Sequence, residues 1–288
     1  MGCLCHLSEL IIGIIKFFSM SGKKTIMKSI KISLIVTIVL SCICTNGSSQ
    51  KTVILDNYFN NEYNSQSGLP FHYLWEDTLM SGFSQFGAIF RKEGFKLSTL
   101  KEKPSIEKLN DASIYIIVDP DNRLETTKPN FMDSKAANII SNWVKKGGVL
   151  LMLTNDSQHC ELDSFNILAD KFGMRFTNLI LHPEKFETGK PRNFNSCASI
   201  NLPDHLLFKG VSKMFLKEIA SIECRNLARP ILIEQGKVLM AEAKFGKGYV
   251  FAVGDPLFYN EYIDHFMLPS DFDNLKAAKN LVKLLKTK

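Results

Sequence analysis

The 288-residue chain is poor in the signatures that most directly announce chemistry. It has seven cysteines, but Cys3, Cys5, Cys42 and Cys44 fall within the first 50 residues. Cys160, Cys197 and Cys224 remain, an odd set without C-x-x-C spacing. This excludes a zinc knuckle and a disulfide framework, and leaves open one disulfide or buried free thiols. There is no H-x-x-x-H or H-E-x-x-H, so no metal and no cofactor is expected. Gly246-Lys-Gly248 lacks the G-x-x-x-x-G-K-[ST] frame of a phosphate loop. No lysine or arginine stripe points to nucleic acid. No apolar run reaches the roughly 20 residues that span a bilayer comfortably.

What is present begins with an export signal. Lys28 and Lys31 follow Met27, then comes the apolar run Ile32–Leu40, then small and polar residues from Ser41 to Gln50. A basic start, a short apolar core and a small-residue exit are the parts of a secretory signal. Translation is expected to start at Met20 or Met27, with cleavage near Ser49. Val39-Leu-Ser-Cys42 also resembles a lipoprotein box, which would lipidate Cys42. Five of the 35 basic and one of the 29 acidic residues precede residue 51, leaving 30 and 28. The basicity of the chain thus belongs largely to residues 1–50, and residues 51–288 are nearly neutral.

Residues 51–288 read as one α/β domain. The apolar runs Thr52–Leu55, Ile114–Val118, Val149–Leu153 and Tyr249–Val253 each end in a polar cluster, as strands buried on both faces do. Helical patterns lie between them at Ser81–Glu93, Asp133–Lys146 and Asp163–Phe172, the last capped by Asp163, and a final helix spans Asn274–Leu285. Alternating strands and helices predict a mostly parallel sheet with helices on both faces. A long loop is expected at about 177–203, where prolines and polar residues show no period. Beyond it, Pro230–Glu234, Gln235-Gly236 and Lys237–Ala243 predict a hairpin in a C-terminal antiparallel extension, and Gly246-Lys-Gly248 a second tight turn.

Ligands of parallel sheets collect beyond the carboxyl ends of the strands. That rule gathers Asp56, Asn57, Asp119, Asp121, Asn155, Asp156 and Asp255 at one rim. The segments Tyr58–Glu62, His72–Asp77 and Leu257–Tyr262 add aromatic faces beside carboxylates and amides, as a sugar site requires. Taken singly, such residues more often form turns and caps. The bend Leu153-Thr-Asn-Asp156 carries no cysteine, and Cys160 lies further on, so a cysteine nucleophile is not expected.

The motifs Leu55-Asp-Asn-Tyr-Phe-Asn-Asn-Glu62, His72-Tyr-Leu-Trp-Glu-Asp77, Ile117-Val-Asp-Pro-Asp121, Thr154-Asn-Asp-Ser157 and Val253-Gly-Asp-Pro-Leu-Phe-Tyr-Asn-Glu-Tyr262 resemble one family. It is the class-I-glutamine-amidotransferase-like domain of Bacteroidetes, associated with unsaturated rhamnogalacturonyl (uronyl) hydrolases. The similarity covers about residues 51–288. It implies a flavodoxin- or amidotransferase-like sheet and a periplasmic place in polysaccharide breakdown. Members acting alone are linked to dehydration of ulvan-type oligosaccharides, so the resemblance implies an oligosaccharide dehydratase, a carbon–oxygen lyase. It would turn a terminal saturated glucuronyl residue into a 4,5-unsaturated one, alongside an unsaturated uronyl hydrolase. That chemistry needs a base at C5, an acid at O4 and stabilisation of the developing enolate. His72 or Tyr259 is the candidate base, and Glu76 or Glu261, raised by burial, the acid. Asn57, Asn155 and Asn260 would hold the carboxylate, with Trp75 stacked on a ring. The alternative is a non-catalytic carbohydrate-binding domain using the same rim.

Overall fold

A computed structural model describes residues 50–64, 66–185 and 188–288. The expected export signal, with Met20, Met27, Cys42 and the cleavage region at Ser49, lies outside the described residues. Strands are β1 (Thr52–Asp56), β2 (Lys96–Leu100), β3 (Ala112–Val118), β4 (Val149–Leu153), β5 (Met174–Leu181), β6 (Ala198–Ser199), β7 (Met214–Phe215), β8 (Ile219–Cys224), β9 (Ala228–Glu234), β10 (Lys237–Phe245) and β11 (Gly248–Val253). Helices are α1 (Ser84–Lys92), α2 (Ile106–Leu109), α3 (Ser134–Lys145), α4 (Leu162–Ala169), α5 (Asn260–Ile263) and α6 (Asn274–Lys286).

The central sheet runs β2-β1-β3-β4-β11 with every neighbour parallel. It then turns antiparallel through β10, β8 and β5, and β9 pairs with β10. Successive side chains of a strand point to opposite faces, and both faces are covered here. Ile114, Ile116 and Val118 pack with Phe86 and Phe90 of α1 and Leu281 and Leu285 of α6. Tyr115 and Ile117 face the other way, against Ile140 and Val144 of α3 and Phe165 and Leu168 of α4. Full burial of each such aliphatic or aromatic side chain stabilises the fold by about 1.5–3 kcal/mol, which is why these runs are apolar without alternation.

The hairpin forms as its turn residues dictate. Gln235 (φ 49°) and Gly236 (φ 73°) both sit in the left-handed region, and β9 and β10 pair from Glu234↔Lys237 onward. The tight turn at Gly246 (φ 60°) joins β10 to β11, beginning at Phe245↔Gly248. Helix boundaries differ from the expected ones for local reasons. Helix α4 is capped by Glu161, whose carboxylate accepts from the Ser164 N–H at 3.0 Å, so Asp163 lies inside the first turn. The helix ends at Ala169, and a 3-10 turn over Asp170–Phe172 leads to Gly173 (φ 76°). Helix α1 starts at Ser84, because residues before it are held in turns. The expected loop starts later than 177, since Thr177–Leu181 belongs to β5, in which Ile180 and Leu181 pair with β8.

Candidate functional site

The order of the parallel strands reverses between β1 and β3, and the crevice beyond their carboxyl ends is where such sheets bind ligands. Asp56 ends β1 and Asp119 follows β3. Between β1 and α1 the chain makes a long excursion that folds back on itself. Tyr63 bridges Pro70, the Asn64 N–H donates to the Leu69 carbonyl at 2.9 Å, and the Phe71 N–H to that of Glu62 at 3.1 Å. This closure sets Glu62 beside His72, and the Glu62 carboxylate meets His72 Nδ1 at 2.5 Å. The next residue, Tyr73, sends its hydroxyl to Asp119 Oδ2 at 2.9 Å, and Asn155 Nδ2 reaches the same oxygen at 3.2 Å. Asp121 anchors the excursion from the β3 side by accepting the Asn61 N–H at 2.5 Å.

Three non-glycine residues of this cluster hold left-handed backbone: His72 (φ 60°), Tyr73 (φ 48°) and Asp119 (φ 43°). Such conformations cost about 1–3 kcal/mol each and persist where the surroundings impose them, which is common at working sites.

The electrostatics single out the same place. Burial pushes the Asp119 carboxyl up to about 7, opposed by its hydrogen bonds from Asn155 and Tyr73 and reinforced by Glu62. Burial, with Glu62 and Asp119 nearby, raises Asp121 to about 8. Glu125, desolvated beside Asp119, Glu62 and Asp121, stands at about 10. Carboxylates packed so closely cannot all be ionised, so the cluster holds protons at neutral pH. Asp119 Oδ1, Asp121 Oδ1, Glu125 Oε2 and the amide oxygens of Asn60 and Asn61 are buried without hydrogen-bond partners. Perturbed carboxyls with bare oxygens at a switch point make this cluster the candidate site. Among the described residues, no group of three or more His, Cys, Asp or Glu is placed to hold a metal ion.

The sequence-predicted residues divide sharply. His72, Asp119 and Asn155 meet in the cluster. Tyr259 is half-buried beside it, edge-to-face with Tyr73 at 6.0 Å between centroids and with Tyr262 at 5.0 Å. Arg192, from the loop after β5, lies over the Tyr262 ring at 4.9 Å and is paired with Glu184. Others turn out to be structural. Asp56 accepts the Tyr58 and Phe59 N–H groups and the Tyr115 hydroxyl, and burial holds it at about 6. Asn57 bonds the Asn60 carbonyl at 2.7 Å. Asp156 closes the turn after β4 through the Gln158 N–H and His159 Nδ1. Asp255 accepts the Lys217 and Leu257 N–H groups, and burial holds it at about 6.

Three expected roles do not fit their surroundings. Trp75 is 2 % exposed, bonded to the Ser98 carbonyl and packed among Phe83, Phe86 and Phe90, so its faces are unavailable to a sugar. Glu76 is exposed, outside the buried cluster around Asp119. Asn260 spends its amide on the Asp77 and Leu79 carbonyls and its oxygen on the Gln85 N–H, tying α1 to α5. Glu261 sits in the first turn of α5, its N–H donating to the Met80 carbonyl at 3.0 Å. Cys160 is buried, and burial pushes its thiol well above the ordinary range, which disfavours a thiolate. Sequence reasoning missed Glu62, Tyr73 and Glu125. The first two lay within or beside quoted motifs, but only the turn Asn64–Pro70 signals that Glu62 and His72 meet.

The chain matches no protein-family model and no curated protein. Among solved structures it is similar to the mmIFT52 N-terminal domain, with a TM-score of 0.56 and 13 % identity over 83 % of this chain and 98 % of that one. It is also similar to the cytoplasmic protein STM1381 from Salmonella typhimurium LT2, with a TM-score of 0.52 and 15 % identity over 82 % and 98 %. At these identities the likeness is one of fold, a mixed α/β architecture on a mostly parallel central sheet.

Proposed function

We propose that the protein is an exported, periplasmic oligosaccharide dehydratase. It removes water across C4 and C5 of a terminal saturated glucuronyl residue, as in ulvan fragments, and leaves the 4,5-unsaturated residue that an uronyl hydrolase consumes. The parallel order β2-β1-β3-β4-β11 supports a flavodoxin-like, amidotransferase-like reading of the sheet. The observation that carries the function is the Glu62–His72 pair set beside Asp119, a buried carboxyl raised to about 7 with one bare oxygen.

Each step has a group for it. Glu62 fixes the proton of His72 on Nδ1, which leaves Nε2 as the base for the C5 proton. The C5–H electron pair becomes the C4=C5 bond as the C4–O4 bond breaks. Asp119 is protonated on the buried Oδ1; substrate binding opens that oxygen to O4, which takes the proton as water departs. Proton transfer from His72 to Asp119 restores the resting state. Tyr73 and Asn155 hold Oδ2 and so aim Oδ1. Arg192, over Tyr262, places positive charge on the Tyr259 side, where the uronate carboxylate gains charge as the enolate develops.

The test uses saturated glucuronyl-ended oligosaccharides and ultraviolet absorbance of the new double bond. His72→Asn, Glu62→Gln and Asp119→Asn should each lose the signal by about a hundredfold or more, the scale of general acid–base catalysis, with the fold intact. Glu76→Gln should keep it. Binding of several such sugars with no absorbance from any would replace this reading with the carbohydrate-binding one.

A further inference from the structure

A second surface lies at the opposite end of the strands. A groove of about 1130 Å³ runs along the outer side of α3 to the beginnings of β3 and β4. Its side-chain charge is of one sign. Lys51, Lys135, Lys146 and Lys288 line it, and among the described residues no side-chain carboxylate does. Lys135 and Lys146 make no ion pair among the described residues, and Lys51 Nζ donates only to the Lys286 carbonyl at 3.1 Å. Amides of Asn138 and Asn142, exposed on α3, lie between the lysines, and the half-buried ring of Trp143 forms part of the wall.

We infer that this groove binds an oligosaccharide carrying carboxylate or sulfate groups, separately from the rim. Lysines supply the charge, amides hydrogen-bond hydroxyls in either direction, and the indole offers an apolar face to ring C–H groups. A residue set of charge alone would suit any polyanion. The concave wall of amides and tryptophan selects a sugar chain over a flat bilayer. The groove lies away from His72 and Asp119, and its occupancy does not depend on catalysis there. A long glycan held at this end would stay near the protein while its chain ends are processed.

Trp143 provides the readout, because the only other tryptophan, Trp75, is 2 % exposed. The protein is titrated with a chondroitin sulfate hexasaccharide, hexagalacturonate and neutral cellohexaose, followed by tryptophan fluorescence and calorimetry. One or both acidic hexasaccharides should bind and shift the emission, whereas cellohexaose should not. The triple variant Lys51→Ala/Lys135→Ala/Lys146→Ala should weaken binding by about tenfold, as three exposed charges each worth about twofold multiply. Asn138→Ala with Asn142→Ala should weaken it further, while Asp119→Asn at the rim should leave it unchanged. Equal affinity for cellohexaose, no change in the lysine variant, or equal affinity for phosphatidylglycerol vesicles or duplex DNA would overturn the inference. Dehydratase activity is read separately, so a failure at the rim and a failure at the groove remain distinguishable.

Discussion

Replacing Asp119 by asparagine should stabilise the protein at about pH 8 and destabilise it at about pH 4.5. Asp119 is 3 % exposed, and burial holds its carboxyl at about 7 rather than 3.8. A group raised in this way binds its proton more tightly in the folded chain than in the unfolded one. Its contribution to stability is present in full below 3.8 and is lost as pH rises through about 7. The displacement corresponds to about 4 kcal/mol. Asparagine keeps an acceptor for Tyr73 and Asn155, but it places an NH2 group where Oδ1 has no partner. An unsatisfied buried donor costs about 1–3 kcal/mol. The net effect is a gain of about 1–3 kcal/mol near pH 8 and a loss of similar size near pH 4.5, where the wild-type carboxyl is already protonated. Urea unfolding of both proteins at several pH values measures this directly, with the slope of free energy against denaturant checked for constancy. Asp56 and Asp255, raised to about 6, and Asp121 and Glu125, raised to about 8 and about 10, remain in the variant, so its pH dependence should flatten without vanishing. A wild type that grows more stable from about pH 5 to 8, or a variant weakened equally at both ends, would refute the reasoning.

Further outcomes follow from single contacts. Asn260→Ala removes side-chain hydrogen bonds to four partners and leaves the Asp77 and Leu79 carbonyls unmet, so it should cost about 3 kcal/mol, read as a lowered urea midpoint. Trp75→Ala should cost about 3–5 kcal/mol of stability, with sugar affinity of the surviving folded fraction unchanged in calorimetry, since the ring faces the core. Gly236→Ala meets open space but a φ of 73°, so it should lower stability by about 1–2 kcal/mol with no loss of function in the absorbance assay.

The parts of the fold legible in the sequence are those fixed by local chemistry. Val149–Leu153 reads as a strand buried on both faces, and Gln235-Gly236 as the turn of a hairpin, and both form as read. Helix starts were less legible. Glu161 and Asp163 are both competent caps, and the packing of Leu162 and Phe165 decides between them. The candidate cluster was half legible. Strand-end position identified Asp119 and Asn155, because β3 and β4 are adjacent and parallel and bring both to one rim. The same rule overcounted Asp56, Asp156 and Asp255, whose oxygens are used by local turns. Glu76 and Asn260 looked available because side-chain direction at a loop is set by contacts distant in sequence, such as those joining Asn260 to Asp77. Glu125 escaped notice because only burial and three neighbouring carboxylates distinguish it from a surface glutamate.

The closure between Glu62 and Phe71 has an evolutionary consequence. Its neck is fixed by the Tyr63–Pro70 bridge and by two backbone hydrogen bonds. Lengthening a loop beyond a pinned neck costs little, because closure entropy grows only slowly with length. Insertions at Gln66–Gly68 can therefore accumulate without moving His72. Glu62 and His72 travel together on this cassette, whereas Asp119 is held at the end of β3. The tip can vary in length and composition while the Glu62–His72 geometry is inherited unchanged.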